Sequence, residues 1–415
     1  MLGFLRRGKR EPVVYKRSDH CISRRNIDPC AIDVLYRLSD LGYVAYLVGG
    51  GVRDLLLGRK PKDFDVGTSA RPEEVKRAFR NCFLIGRRFR LAHVKFGAKV
   101  IETATFRQNS QTVGEILEHA AEGPVEDNTY GTPETDARRR DFTVNGLFYN
   151  IKDYSVIDWV GGMKDLEKKV IRSIGDPAVR FQEDPVRMMR AIKFSSRLGF
   201  TIERRTAAAM KKYHRSILTA APPRVCEEVF RLFTYGHSAE AFRQMYQYGL
   251  LGDLVPELAE FIRRDGGAGS TTFDYLAVLD GYEKMMGEKG LEVSNGLRAA
   301  VLMTGMFRAE RKDGAGRRIM QYMLSTVKMP KSAYFTAVTL MESTRRLGQP
   351  PTKEKQRFIY TRDFLDALDY NRIVLRTEGR DESTLNKWAD LYDEKHDEKG
   401  ETDEPQEQSG TDTAD

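Results

Sequence analysis

Two aspartates one residue apart, Asp63 and Asp65, follow shortly after the run Val48-Gly49-Gly50-Gly51-Val52-Arg53-Asp54, and no other stretch constrains the fold as tightly. Side chains in an extended strand alternate faces, so Asp63 and Asp65 point one way while Phe64 and Val66 point the other. The glycine run opens a short amphipathic helix, and Val44 to Val48 before it reads as a short buried strand. A helix over Arg71 to Arg80, with Pro72 in its first turn and Glu73 and Glu74 near its amino end, would pack on the sheet. Two carboxylates on one face repel each other unless a cation lies between them. Mg²⁺ is the candidate, a hard ion commonly shared between carboxylates and substrate phosphates. Lys99 to Phe106 reads as a further strand, whose Glu102 would add a third carboxylate from a neighbouring ladder position. Asp63, Asp65 and Glu102 would then hold two Mg²⁺ ions for an in-line phosphoryl displacement. A solvated strand edge, an ordinary glycine turn and a glutamate facing water fit the same letters.

Three later stretches carry groups suited to a nucleotide. Leu84 to Val94 sets Arg87, Arg88 and Arg90 around a strand-like core, and guanidinium forks match phosphate oxygens, although the wet edge of a sheet would look similar. Arg139, Arg140, Asp141 and Asn145 supply cations for phosphates and hydrogen-bonding groups for a ribose hydroxyl. With Asp141 and Asn145 four apart on a segment that begins a helix, the two would share a face, and Asp141 as an N-cap is the structural alternative. Asp184-Pro185 is a good N-cap and first-turn pair for an amphipathic helix running to about Leu198, and Asp184 and Arg187 fall on one face of its start.

Gly50-Gly51-Val52-Arg53-Asp54, Asp63-Phe64-Asp65 and Arg139-Arg140-Asp141-Phe142-Thr143-Val144-Asn145 together resemble the signature of the nucleotidyltransferases that add CCA to tRNA or poly(A) to RNA 3′ ends, in their bacterial, class II branch. The resemblance runs from about His20 to Trp388, specific before Gly199 and a matter of layout after it. It implies an α+β fold, a polymerase-beta-like nucleotidyltransferase mixed sheet with flanking helices, followed by an all-helical neck and body. It implies that Asp63, Asp65 and Glu102 are the catalytic, metal-holding acids. Gly50, Gly51 and Arg53 would shape or contact the triphosphate site, with Arg88, Arg139, Arg140, Asp141 and Asn145 around the nucleotide and Asp184 and Arg187 at its base. The arginine run after the carboxylates is similar to the segment that marks poly(A) polymerases off from CCA-adding enzymes. The expected activity is therefore template-independent addition of AMP from ATP to RNA 3′ ends, of mRNA or other transcripts. A tRNA 3′-end nucleotidyltransferase adding CCA, CC or A is the alternative, and an RNA-binding chain without catalysis the remoter one. His396-Asp397 in the tail is the only His-Asp pair, so no phosphohydrolase domain is expected, and the acidic end departs from the basic tails of well-known poly(A) polymerases.

The rest of the chain sets bounds. No run of about 18 apolar residues and no signal-peptide pattern occurs, which leads to the expectation of a cytoplasmic protein. Cys21, Cys30, Cys82 and Cys226 lack zinc-ligand spacing and are expected to be reduced. The net charge is +8, yet from Asp390 to Asp415 there are 11 acidic and 2 basic residues, leaving 66 basic against 49 acidic upstream. That excess suits a polyanionic partner such as RNA. The expected organisation is a flexible extension over 1–29, a catalytic head over 30–175, a base-recognising neck over 176–236, an RNA-binding body over 237–389 and a disordered acidic tail over 390–415, with a surface loop across 108–134.

Overall fold

The computed structural model describes residues 11–86, 90–108, 130–310, 314–352 and 356–402, with side chains described as far as 395. The described chain divides into two compact units, one formed by residues up to 187 together with 198–213, the other by 188–197 together with the chain from 214 onward.

The first unit is built on an eight-stranded mixed sheet of order β1-β8-β7-β2-β3-β6-β5-β4. Its strands are β1 (Val13–Tyr15), β2 (Ala45–Val48), β3 (Asp65–Thr68), β4 (Cys82–Ile85), β5 (Leu91–Phe96), β6 (Lys99–Thr105), β7 (Leu147–Tyr149) and β8 (Val156–Asp158). Only β3 and β6 run parallel within it, with Val66 beside Thr103; the other pairings are antiparallel. Period-two alternation sorts the side chains onto two faces. Leu47, Val66, Leu147 and Tyr149 join the larger core, covered by helices α1 (Pro29–Asp40) and α3 (Pro72–Ala78) through Val34, Leu35, Leu38 and Val75. Val48 and Phe148 turn to the opposite face, where Phe106 and Ile157 meet Ala137 of helix α4 (Pro133–Arg139). α1 is entered through Asp28, which accepts the Cys30 N–H at 2.9 Å, with Pro29 at its first position.

Several expectations need revision here. Residues 11–29 are not a flexible lead-in: Val13–Tyr15 pairs with β8, and the buried Ile22 and Ile27 belong to the core. Pro12 and Lys16 bound a strand of three residues, too short to show a period. The segment at Arg139 ends a helix, α4, instead of beginning one, and Thr143–Asn145 is a single 3-10 turn. The expected 108–134 loop falls mostly on residues 109–129, outside the described residues, and so do Arg87 and Arg88.

The second unit is helical. Long helices at Thr271–Glu288, Lys331–Leu347 and Phe364–Thr377 bury Phe273, Leu340, Met341, Tyr370 and Ile373. Residues from 390 were expected to be disordered, but the helix Ser383–Thr402 runs through them. It is anchored by Trp388, which is fully buried and donates from its indole to the Gln349 carbonyl at 2.8 Å. The acidic residues from 403 on lie outside the described residues. No helix among the described residues is long and apolar enough to cross a membrane.

Candidate active site

β2 ends at Val48, and Gly49 turns the chain into helix α2 (Gly50–Leu56) with φ of +73°, in the left-handed region that favours glycine. A Cβ on Gly49 would lie 2.8 Å from a guanidinium nitrogen of Arg140 and 4.0 Å from the Asp65 carboxylate. One on Gly51 would press the Asp63 backbone carbonyl at 3.3 Å, whereas one on Gly50 would meet only the Arg53 guanidinium at ordinary contact distance. Position 49 thus favours glycine through its positive φ and the Arg140 guanidinium beside it, and position 51 because the Asp63 carbonyl lies tight against it. Val48 pairs directly with Asp65, the first residue of β3.

Asp65 is half-buried, and Asp63, just ahead of the strand, is exposed. Stepping the β3/β6 register back one residue from Val66 and Thr103 brings Glu102 beside Asp65 on the same face. Burial above all, and then the charges of Glu102 and Asp63, push the Asp65 carboxyl up to about 6, while Arg140 pulls it back. Glu102 keeps half of its side chain in solvent and stands 3.8 Å from the His93 imidazole across the ladder. Among the described residues no three His, Cys, Asp or Glu side chains close on one another as a ready-made metal cage. The donors offered by Asp63, Asp65 and Glu102 are nonetheless all carboxylate oxygens, the set that suits Mg²⁺, an ion that commonly completes its shell with water and substrate phosphates.

The cationic side of the site is organised by Asp136, which is 2% exposed. It accepts from Arg139 at 2.7 Å and from Arg140 at 3.0 Å, and it also takes the Arg107 N–H at 3.2 Å. Arg140 lies 5.2 Å from the centre of the Phe148 ring, so an aromatic floor and a buried carboxylate fix its direction. From helix α6 (Pro177–Glu183), Arg180 donates to the carbonyls of Arg139 and Arg140 at 2.6 and 3.0 Å. Neither Asp136 nor Arg180 was singled out in the sequence, yet Asp136 sits three and four residues before the two arginines it holds, a spacing that was there to be read.

Arg53 lies behind the site. It is 2% exposed, with its guanidinium on Asp54 at 2.8 and 2.7 Å and on the Asn145 side-chain carbonyl at 2.7 Å. A guanidinium so enclosed orients Asn145. The Asn145 amide in turn donates to Asp141 at 3.2 Å, so these two do meet, across a 3-10 turn and not along an α-helix. Asp184 closes α6, and its backbone carbonyl accepts the Arg187 N–H at 3.1 Å as helix α7 (Val186–Leu198) starts. The Arg187 guanidinium is held by the Arg180 carbonyl at 3.0 Å and Glu183 at 3.2 Å. Arg88 lies outside the described residues, and its neighbour Arg90 pairs with Glu73 at 2.8 Å on the surface.

Comparisons with known proteins match the part of the chain that carries this site. The family model described as the poly A polymerase head domain matches residues 45–172, and the one described as the probable RNA and SrmB-binding site of polymerase A matches 199–262. Poly(A) polymerase I of Salmonella typhi is 46% identical over 258 residues, 61% of this chain and 56% of that protein. A CCA-adding enzyme of Lactobacillus helveticus is 38% identical over 229 residues, 55% of each chain. The chain thus spans little more than half the length of the curated relatives it matches. Among solved structures, the Bacillus stearothermophilus CCA-adding enzyme in complex with CTP superposes with a TM-score of 0.67 at 24% identity, covering 89% of this chain and 83% of that one, which shows a shared fold. A sheet with carboxylates beside a glycine turn, the two matched family models and the poly(A) polymerase relatives lead to one statement: between residues 45 and 262 the chain carries the head and RNA-site segments of the poly A polymerase models, and there it is similar to both poly(A) polymerases and CCA-adding enzymes.

Proposed function

We propose that this protein is a polynucleotide adenylyltransferase that adds AMP from ATP to RNA 3′ ends without a template, releasing pyrophosphate. The observation that carries the reading is that Asp65 and Arg140 meet at the Gly49 turn, with Glu102 beside Asp65 in the neighbouring strand, inside a stretch matched by the poly A polymerase head. The RNA 3′-hydroxyl attacks the α-phosphorus of ATP, the new P–O bond forms as the bond to pyrophosphate breaks, and no protein nucleophile is needed. Arg139 and Arg140, aimed by Asp136, bind the phosphates. Asp141 and Asn145 hydrogen-bond the ribose, with Arg53 and Asp54 behind them as positioning residues. Asp63, Asp65 and Glu102 would hold divalent cation, which when bound neutralises charge on the phosphates and the attacking oxygen. An acceptor at Asp184 and a donor at Arg187 suit the amino group and N1 of adenine, and equally the amino group and N3 of cytosine. That pair rejects G and U and leaves the choice between ATP and CTP to other groups. The same chemistry would place the protein in the cytoplasm with ATP and RNA.

Incubation with an unstructured RNA and with tRNA lacking its 3′ end, each with ATP or CTP, tests the proposal. ATP should extend the unstructured RNA, and Asp65→Ala should lower the rate by roughly a thousandfold, the scale of losing a key electrostatic group. CTP incorporation into the trimmed tRNA with no extension of plain RNA would replace this reading with tRNA 3′-end synthesis. No incorporation on either would leave RNA binding alone.

A further inference from the structure

The half of the sheet beyond Asp65 carries an open face that no part of the reaction above uses. Phe83 on the edge strand β4 is paired with His93 of β5, and His93 with Glu102 of β6, so all three point to one side. With Asp65 next in register they form a row across four strands, and at strand spacing Phe83 stands about 14 Å from Asp65. Phe83 is 57% exposed and Ile85, two residues on along the same face, 51%. The Lys95 ammonium lies 5.5 Å from the centre of the Phe83 ring.

Scattered apolar side chains at a surface need no explanation, but a ring this open, beside an ammonium and in line with catalytic acids, has a specific chemistry. Each nucleotide of a single strand offers an apolar base face and a phosphate, and a ring with an adjacent cation answers both. A protein partner would instead be met by a larger apolar patch with charge kept out of its middle.

We propose that the outer face of β4 and β5, centred on Phe83 and Lys95, is the platform on which the RNA strand lies as its 3′ end enters the site. This rests on the adenylyltransferase reading. Phe83 stacks a base a few nucleotides behind the terminal hydroxyl, and Lys95 takes the phosphate next to it.

The test is the binding of a fluorescent oligoadenylate to the full chain by anisotropy, without ATP, so that the result stands apart from the extension assay. Because Phe83 is mostly in solvent, its replacement leaves the fold intact. F83A and F83L should each weaken binding roughly tenfold, the scale of one base–aromatic stack, while F83W keeps it. K95Q should reduce the salt slope of binding by about 0.7, one phosphate contact to a single strand. In extension assays at saturating RNA the KM for ATP should not move. Parental affinity in both F83A and F83L would overturn the platform, as would a parental dimer that F83A dissociates without loss of RNA affinity. An absence of ATP-dependent extension in the parent, with RNA binding still sensitive to F83A, would instead refute the catalytic reading.

Discussion

Asp65 owes its character to position: it begins a strand, its neighbour Val66 is locked into the core, Glu102 stands beside it in register, and the charge of Asp63 also acts on it. Burial first and those charges second raise its carboxyl to about 6, above the ordinary carboxylate range. Between about pH 4 and pH 6 the folded chain therefore keeps a proton that the unfolded chain has given up, so folding stability declines as pH rises through that window. With divalent cation chelated, the melting temperature should fall from pH 5 to pH 7 by more in the parent than in Asp65→Asn, and Mg²⁺ should recover part of the difference. Differential scanning calorimetry across pH, with chelator and with Mg²⁺, reads it. Parallel profiles for parent and variant would refute the assignment. Asp65 and Glu102 side by side in neighbouring strands were legible in the sequence, whereas Asp63 lies ahead of β3, where strand alternation no longer sets its direction. Arg53 was not legible: a motif arginine next to an aspartate looks the same whether it faces a phosphate or, as here, closes a buried pair around Asn145.

At the scale of elements, what could be read was whatever kept a period or a turn residue over several positions: the α1 stripe, the glycine turn, the β3 and β6 strands. Short pieces defined by their partners could not be read. Val13–Tyr15 is a strand because β8 lies beside it, and Ser383–Thr402 is held at Trp388 despite an acidic composition that argues for disorder. Asp158 has a structural role that no period in the sequence reveals. Buried at the end of β8, it accepts the N–H groups of Val160, Gly161, Gly162 and Met163 at 2.8 to 3.0 Å, capping helix α5 (Gly162–Glu167). Asp158→Ala would strand the two buried donors of Gly162 and Met163 and should cost roughly 2 kcal/mol. A fall in melting temperature of about 5 °C is the expected size for a unit of this length. A variant that melts with the parent would show that water replaces the carboxylate at no cost.

Across the whole molecule, charge is the property that composition made plain and that the fold then distributes. Acidic residues concentrate from Asp390 onward, so the rest of the chain carries 66 basic against 49 acidic residues. Many of these cations are committed: Arg139 and Arg140 to Asp136, Arg298 to Glu283, Arg308 to Glu378, Lys193 to Glu228. Formal charge therefore overstates what a polyanion meets, and the number of phosphates contacted should be modest. For about four neutralised phosphates on a single strand the slope of log affinity against log salt is about −2.8, or roughly a fiftyfold loss between 50 and 200 mM salt. Anisotropy titrations of oligoadenylate over that range measure it directly. A much steeper slope would mean that the paired arginines release their carboxylates to the RNA. A flat one would mean that stacking at surfaces such as the Phe83 ring carries the affinity without help from charge.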